Sequence, residues 1–222
     1  MTTTSVNPTI DLKREVLETA QSMLRSGLVE GTAGNVSARL PDGNIVMTPS
    51  SVAYDTMTVD DLVVIDPAGT IVEGTRAPTT EKALHLACYR RYEEVGAVIH
   101  THAQYASMFA LIHEPVPAVI EEFIVYVGGD VPIADYKLTG SDELGEEISS
   151  RLEKVSAVLI ANHGMVAIGS SLHKALHVTQ LVDRSAKIIW GARAIGDVVP
   201  LPEKTSTDFR NVYEFMRSNK MW

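Results

Sequence analysis

The chain has 222 residues, of which 45% are hydrophobic and 21% are charged, and its formal net charge at pH 7 is −9. This composition is typical of a folded globular protein and excludes a disordered one. The acidic balance argues against nucleic acid or an anionic membrane surface as a partner, because either would require a net basic face.

The cysteine content and the first residues bear on where the protein works. Cys88 is the one cysteine, so an internal disulfide framework and a cysteine zinc cluster are both excluded. The first residues lack the basic and apolar segments of a secretory signal, and no apolar run approaches the ~20 residues that cross a bilayer. We therefore expect a cytoplasmic protein without a membrane partner.

The N-terminal half is predicted to contain a helix, two hairpins and a second helix. Apolar residues three and four apart predict the first helix, and turn sequences around Gly43 and Gly69 predict the hairpins. In chain order the predicted elements are a helix over 11–25, strands over 35–40 and 45–48, strands over 62–66 and 70–73, and a helix from 80 to about 93.

The C-terminal half alternates strands with helices. Residues 123–127 have a β-rich composition, although Glu121 and Glu122 are unusual at the start of a strand. The other predicted elements are a strand over 96–102, a helix over 103–112, a strand over 131–135, a helix over 141–152, strands over 157–161 and 165–168, a helix from 171 to about 194 and a helix over 206–217. Hairpins interleaved with helices favour an α/β fold with a mixed, largely antiparallel sheet covered by helices. No linker divides the chain, so we expect a single domain over 1–222.

Two histidines in a predicted strand are the most informative chemical feature. His100 and His102 are two residues apart, so both imidazoles point to the same face and can bind one divalent metal. His163 follows another strand beside Gly164, and Glu81 opens the helix after 80, which adds a third imidazole and a carboxylate. Three nitrogens and one oxygen suit Zn²⁺, with Mn²⁺, Co²⁺ or Fe²⁺ as alternatives. Histidines at strand ends also serve as ordinary hydrogen-bonding groups.

The remaining histidines are interpreted as structural. His173 and His177 lie four apart on one helix face, but position 174 is Lys where a zincin motif would need Glu. His85 follows Glu81 by one turn, which allows a supporting role beside the metal, although a core histidine is the preferred interpretation. His113, near a helix end, is expected to face solvent.

Three segments rich in small and hydroxyl residues are candidates for binding an anion. Gly34 permits close backbone approach and Asn35 supplies an amide, while the start of a helix at Thr80 offers free N–H groups. Each segment alone also fits a turn or a helix cap. None has the glycine spacing of a nucleotide-binding loop. The three segments are residues 31–37, 48–51 and 78–81.

Taken together, these motifs resemble the class II aldolase/adducin family, and within it the L-fuculose-1-phosphate aldolases. The resemblance covers about 12–191, with a helical tail at about 205–218 outside it. The motifs that carry it, all in the family's order, are Gly-Asn35-Val-Ser, Thr-Pro-Ser-Ser51, Pro-Thr-Thr-Glu81, His100-Thr-His102 and Asn-His163-Gly.

The resemblance implies a three-layer α/β/α fold, a homotetramer and a metal-dependent aldolase. The enzyme would cleave a ketose 1-phosphate to dihydroxyacetone phosphate and a short aldehyde such as lactaldehyde, the metal stabilising the enediolate. Zinc would be held by His100, His102, His163 and Glu81, with Glu81 also acting as the base. The substrate phosphate would be bound by Gly34, Asn35, Ser50, Ser51, Thr79 and Thr80.

One position departs from the family pattern and leaves alternatives open. The aldolases carry a tyrosine shortly before two glycines, as the acid at the aldehyde end, and that position is Glu122 here, with Tyr126 nearby. The same family contains sugar-phosphate 4-epimerases, dehydratases and decarboxylases, as well as non-catalytic adducin-like interaction modules. An epimerase is expected to carry Asp at position 81, and a non-catalytic module is expected to lose the metal ligands.

Overall fold

An eight-stranded sheet lies at the centre of the structure, a computed structural model that describes residues 8–222. Across the sheet the order is β4-β3-β2-β1-β5-β8-β7-β6, and the β6–β7 pair is parallel while the other pairs are antiparallel. The predicted mixed, largely antiparallel sheet is therefore confirmed. In chain order the strands are β1 (Asn35–Arg39), β2 (Ile45–Met47), β3 (Val63–Ile65), β4 (Ile71–Glu73), β5 (Ala97–Thr101), β6 (Ile133–Ala134), β7 (Ala157–Ile160) and β8 (Gly164–Gly169).

Helices cover both faces of this sheet. Neighbouring residues of β5 point to opposite faces, so Ile99 packs in a cluster with α1, α3 and α6, while Val98 packs in a second cluster with α2, α5 and α7. This confirms the three-layer α/β/α architecture. The helices are α1 (Pro8–Arg25), α2 (Lys82–Arg91), α3 (Gln104–Ile112), α4 (Glu121–Val127), α5 (Asp142–Ser150), α6 (Leu172–Arg193) and α7 (Glu203–Ser218), with a short 3-10 helix at Val59–Asp61.

The segment 123–127 is helical, contrary to its β-rich composition. It forms the greater part of α4, whose first turn contains Glu121 and Glu122, where carboxylates favour the helix N-terminus. Phe123 and Val127, four residues apart, are both buried on one side. Gly128 ends the helix with a φ of 100°, a conformation that glycine adopts without strain. Packing of this apolar face therefore outweighs the strand propensity of its residues.

The centre of the sheet positions the histidines. β5 lies between β1 and β8, and its register places His100 opposite Asn35 on one side and Val166 on the other. The α3 helix begins shortly after β5. At the start of α3, the amides of Tyr105 and Ala106 donate hydrogen bonds to Asp183 of α6. The path of the chain after His102 is thereby fixed. Within residues 8–222, none of the helices combines the length and apolar character needed to cross a membrane.

Candidate metal centre

Four side chains that the sequence singled out lie together in the structure. His100 lies in β5, and His102 directly follows that strand. His163 lies in the turn between β7 and β8, and Glu81 directly precedes α2. The Nε2 atoms of His100 and His102 are 3.1 Å apart. The Glu81 carboxylate lies 3.2 Å from His100 Nε2 and 3.5 Å from His163 Nε2. The candidate ligand atoms of the three histidines all fall within 4.8 Å of one another.

Glycine makes this convergence sterically feasible. A Cβ on Gly164 would overlap the carbonyl oxygen of Thr101 and would lie 2.9 Å from His102 Cδ2. The β7–β8 turn therefore approaches β5 closely enough to bring His163 to the other two rings. Asn162, just before it, has a φ of 57°, a left-handed conformation that asparagine tolerates better than most residues.

Hydrogen bonding and burial prepare the imidazoles as ligands. His100 is fully buried, and its Nδ1–H donates to the carbonyl oxygen of Met165 at 2.9 Å, which leaves the Nε2 lone pair directed at the other histidines. Burial lowers the pKa of His100 to about 4 and also lowers the pKa of His102. Both rings are therefore neutral at physiological pH, the state in which imidazole binds a metal.

The chemistry of Glu81 fits a cation at this point. Burial raises its pKa, but the imidazoles, His100 foremost, and the hydrogen bond from Asn35 outweigh burial, so the net pKa is lowered and the carboxylate is ionised. Oε2 accepts a hydrogen bond from Asn35 Nδ2 at 2.9 Å, whereas Oε1 is buried without a hydrogen-bond donor. A buried anionic oxygen facing imidazole lone pairs is stabilised by a divalent cation. The 3.1 Å spacing of two histidine nitrogens is close to the roughly 3.3 Å expected of two nitrogens on one tetrahedral Zn²⁺.

Two of the predicted anion-binding segments lie side by side next to Glu81. Pro49 and Pro78 form an isolated β-bridge, and the Thr79 amide donates to the carbonyl of Thr48 at 3.2 Å. The antiparallel register puts Thr79 opposite Thr48 and Ser50 opposite Ala77, whose carbonyl accepts from the Ser50 amide at 3.0 Å. Ser50, Ser51, Thr79 and Thr80 therefore lie on two segments that pair with each other next to Glu81.

The hydroxyl-bearing residues of these two segments differ in how exposed they are. Thr79 is buried, and its Oγ1 accepts from the Glu81 amide at 3.2 Å, whereas Thr80 and Ser51 are exposed. Ser51 has a φ of 59°, which is uncommon for serine. Backbone strain of this kind concentrates at ligand-binding positions.

Asn35 contacts the Glu81 carboxylate, and the preceding residue, Gly34, lies against β5. Gly34 has a φ of 74°, and a Cβ there would lie 2.6 Å from Val29 Cγ1 and 2.7 Å from the carbonyl oxygen of His100. Asn35 is buried, with its Nδ2 on Glu81 and its Oδ1 on the ring of His85. The Asn35 side chain therefore holds the Glu81 carboxylate, and Gly34 brings its backbone against β5.

A substitution at Gly34 tests that close approach. Gly34→Ala is expected to lower the free energy of unfolding by more than the roughly 1–2 kcal/mol of left-handed strain, because the new methyl would also overlap the His100 carbonyl. Gly27→Ala is the matched control, since Gly27 has a φ of 72° but nothing within 4 Å of its Cβ position. Urea unfolding of both variants measures the difference, and equal losses would contradict the contact.

A cavity of about 480 Å³ opens beside His102 and His163 and adds residues that the sequence analysis missed. Glu30, Gln104 and Ser107 also line it. The Oγ of Ser107 is buried there without a hydrogen-bond partner. Gln104 and Ser107 are three apart at the start of the helix after the histidine pair, a spacing that indicates a shared face. The volume is in the range of pockets for small metabolites.

The other histidines lie outside the cluster. His177 packs edge-on against the ring of Tyr126 at 4.7 Å, and His113 interacts with Asn162 Oδ1 at 2.7 Å. The Tyr126 ring therefore packs against α6. Glu122 lies on the surface, with its Oε2 3.3 Å from Nη1 of Arg184. His85 is fully buried with both ring nitrogens hydrogen-bonded, as expected of a core histidine.

Comparison with known proteins agrees with the geometry. Residues 14–190 match the family model described as "Class II Aldolase and Adducin N-terminal domain". An L-fuculose phosphate aldolase from Escherichia coli O6:H1 is 34% identical over 190 residues, covering 86% of this chain and 87% of the relative. An L-ribulose-5-phosphate 4-epimerase from Salmonella paratyphi C is 37% identical over 196 residues, covering 83% of this chain and 86% of the relative. A solved L-fuculose 1-phosphate aldolase superimposes with a TM-score of 0.87 at 32% identity, covering 92% of this chain and 97% of its own. The chain therefore belongs to the class II aldolase/adducin family.

Proposed function

We propose that the protein is a metal-dependent aldolase that cleaves a ketose 1-phosphate resembling L-fuculose 1-phosphate to dihydroxyacetone phosphate and a short aldehyde such as lactaldehyde. The observation that carries this proposal is the Glu81 carboxylate, which is ionised, buried and adjacent to the three histidines, with Oε1 free of hydrogen-bond donors. A base beside a metal is what proton abstraction next to a carbonyl requires.

One divalent metal per subunit would be held by His100, His102, His163 and Glu81. Zn²⁺ suits this donor set best, and Mn²⁺, Co²⁺ or Fe²⁺ are alternatives. The bound metal supplies a positive charge that stabilises the negative charge developing on the enediolate oxygens.

Glu81 would move the proton. In the condensation direction its carboxylate would remove a proton from the hydroxyl-bearing carbon of dihydroxyacetone phosphate. In the cleavage direction the ketose hydroxyl that becomes the aldehyde oxygen would lose its proton as the carbon–carbon bond breaks. Glu81, having taken up a proton, would then deliver it to the same carbon after the aldehyde has separated. Asn35 holds Oε2 at 2.9 Å, so Oε1 is the oxygen available for transfer. A carboxylate that is ionised in the resting protein is in the correct state to act as a base.

The substrate phosphate would bind at the hydroxyl-bearing residues of segments 48–51 and 78–81, which pair beside Glu81. Neutral hydroxyls and amides hold a phosphate without competing for the metal. The exposed Thr80 and Ser51 are open to a ligand, and Asn35 contributes through its hold on Glu81. The proposed substrate-binding residues are Gly34, Asn35, Ser50, Ser51, Thr79 and Thr80.

A 4-epimerase is the second candidate, because a relative of that name is 37% identical over 196 residues. The glutamate at position 81 favours the aldolase, since the shorter aspartate is expected in an epimerase of this family. A dehydratase or decarboxylase would use the same four ligands. A non-catalytic interaction module is disfavoured because the four side chains that would bind the metal converge.

We also propose a cytoplasmic homotetramer. Large apolar side chains near the ends of α3 and α6 are exposed, including Leu111 at 60% and Trp190 at 53%. Apolar side chains exposed on two helices that pack together favour a surface that another subunit covers.

A coupled assay tests the activity. The metal-loaded protein is expected to release dihydroxyacetone phosphate from L-fuculose 1-phosphate or from a 5-deoxypentulose 1-phosphate, and a chelator is expected to abolish the release. Conversion of L-ribulose 5-phosphate to its 4-epimer, with no dihydroxyacetone phosphate from either ketose, would replace the aldolase by the epimerase. Product from both ketoses in the presence of chelator would exclude the metal-dependent mechanism.

A further inference from the structure

A continuous line of polar side chains connects Glu81 to the interior of the protein. Glu81, His85 and Tyr89 are four residues apart at and after the start of α2, so they lie on one helix face. Asn35 and Ser37 are two apart on β1 and share one strand face. The two rows interdigitate, and all five side chains are buried.

Every neighbouring pair in this line is within hydrogen-bonding distance. Asn35 Nδ2 donates to Glu81 Oε2 at 2.9 Å, and His85 Nε2 lies at 2.5 Å from Asn35 Oδ1. Ser37 Oγ lies 2.7 Å from His85 Nδ1 and 2.8 Å from the Tyr89 hydroxyl. The order is therefore Tyr89, Ser37, His85, Asn35, Glu81.

The Asn35 amide sets the direction of every bond. Its Nδ2 donates to Glu81 Oε2, so its carbonyl oxygen faces His85. That carbonyl needs a donor, so the proton of His85 is on Nε2. Burial lowers the pKa of His85 to about 3, so the ring is neutral and Nδ1 accepts from the Ser37 hydroxyl. Ser37 then accepts from Tyr89.

We propose that His85 is a positioning residue. Ser37 locks the His85 ring in its Nε2–H tautomer, and the ring in turn fixes the Asn35 amide. The amide then orients the Glu81 carboxylate toward the metal and the substrate. The opposite tautomer would leave the Asn35 carbonyl without a donor and would favour a flipped amide, with its oxygen against Glu81. The carboxylate would then lose its donor and gain a repulsive neighbour. This inference rests on the proposed function only in that Glu81 is taken to face a metal.

Co²⁺ serves as the probe, because its visible absorption reports the geometry of its ligands without any substrate. His85→Phe removes the donor to Asn35 and keeps a ring in the same space, whereas His85→Gln retains an N–H donor and a carbonyl acceptor. We expect His85→Phe to weaken Co²⁺ binding about 10–100-fold and to shift the absorption bands, as is found when an outer partner of a ligand is lost. His85→Gln is expected to stay within about threefold of the wild type with the original bands.

A pair of serine variants covers the case in which the phenylalanine variant fails to fold. Ser37 and Ser156 are both fully buried, and each lies 2.8 Å from a buried tyrosine hydroxyl, Tyr89 and Tyr213 respectively. Ser37→Ala and Ser156→Ala should cost similar stability, but only Ser37→Ala should weaken Co²⁺ binding and shift its spectrum.

Two results would overturn the inference: His85→Phe with the Co²⁺ affinity and spectrum of the wild type, or equal loss in the phenylalanine and glutamine variants, which would indicate a purely steric role. The aldolase proposal fails separately, through the absence of dihydroxyacetone phosphate from the wild-type protein, while the Co²⁺ measurements still decide the role of His85.

Discussion

Glu81→Gln is expected to lower the turnover number for dihydroxyacetone phosphate release by on the order of 10³-fold while the fold is retained. Glutamine has nearly the same shape, and its amide oxygen can still accept from Asn35 Nδ2, which lies 2.9 Å from Oε2 in the native protein. The variant has no anionic oxygen, however, so no base remains to take a proton from the substrate carbon. The loss should therefore appear in kcat rather than in KM.

The measurement is steady-state kinetics in the coupled assay, together with metal content and the thermal unfolding midpoint. Glu147→Gln is a matched control, because Glu147 is also largely buried but lies outside the histidine cluster. Burial raises the pKa of Glu147, but the Asp135 amide and Arg151 outweigh burial, so its pKa is lowered like that of Glu81. That control should retain its activity. Turnover near the wild-type value in Glu81→Gln would remove the carboxylate from the mechanism.

The sequence predicted the histidine cluster because its key spacing is local. In any strand, residues two apart share a face, so His100 and His102 needed no knowledge of the sheet order. Hairpins and most helices were also predictable, since turn residues and apolar periodicity act over a few positions. Their assembly into three layers follows from the need to cover both faces of the sheet.

Other features depend on contacts between distant parts of the chain, and local patterns do not encode them. Asn35 lies opposite His100 because β1 pairs with β5, across about 65 residues of sequence, and that pairing also commits the Asn35 side chain to Glu81. The family resemblance assigned Asn35 to phosphate binding, and the local motif does not show which side chain Asn35 contacts in the fold. The contacts of His85 with Asn35 and Ser37 depend in the same way on the packing of α2 against β1.

The α4 helix shows the other limit. Its residues favour a strand, and only the burial of Phe123 and Val127 in the assembled core makes the helix preferable. The cavity residues Gln104 and Ser107 carried a usable signal, because their helical spacing directly after the histidine pair marks the first turn of a helix. That turn lines the cavity beside His102 and His163.

His100→Ala is the second change with a large expected effect, because His100 is the most deeply buried of the candidate ligands and connects to all the others. Its Nε2 lies 3.1 Å from His102 and 3.2 Å from Glu81, and its Nδ1 bonds to Met165. The variant should lose metal affinity by more than the roughly 10–100-fold that follows removal of an outer partner, and activity should fall with it.

Metal analysis after dialysis, followed by thermal unfolding with and without added Zn²⁺, separates loss of a ligand from general destabilisation. A metal that binds the folded state raises the unfolding midpoint, so the wild type should gain stability on addition of Zn²⁺ and His100→Ala should gain little. His177→Ala is the control, since that histidine packs on Tyr126 away from the cluster and should leave the Zn²⁺ response intact. Unchanged metal content and an unchanged Zn²⁺ response in His100→Ala would show that the histidine pair is structural and that the metal binds elsewhere. The Glu81 carboxylate would then lack the neighbouring cation that its buried Oε1 implies.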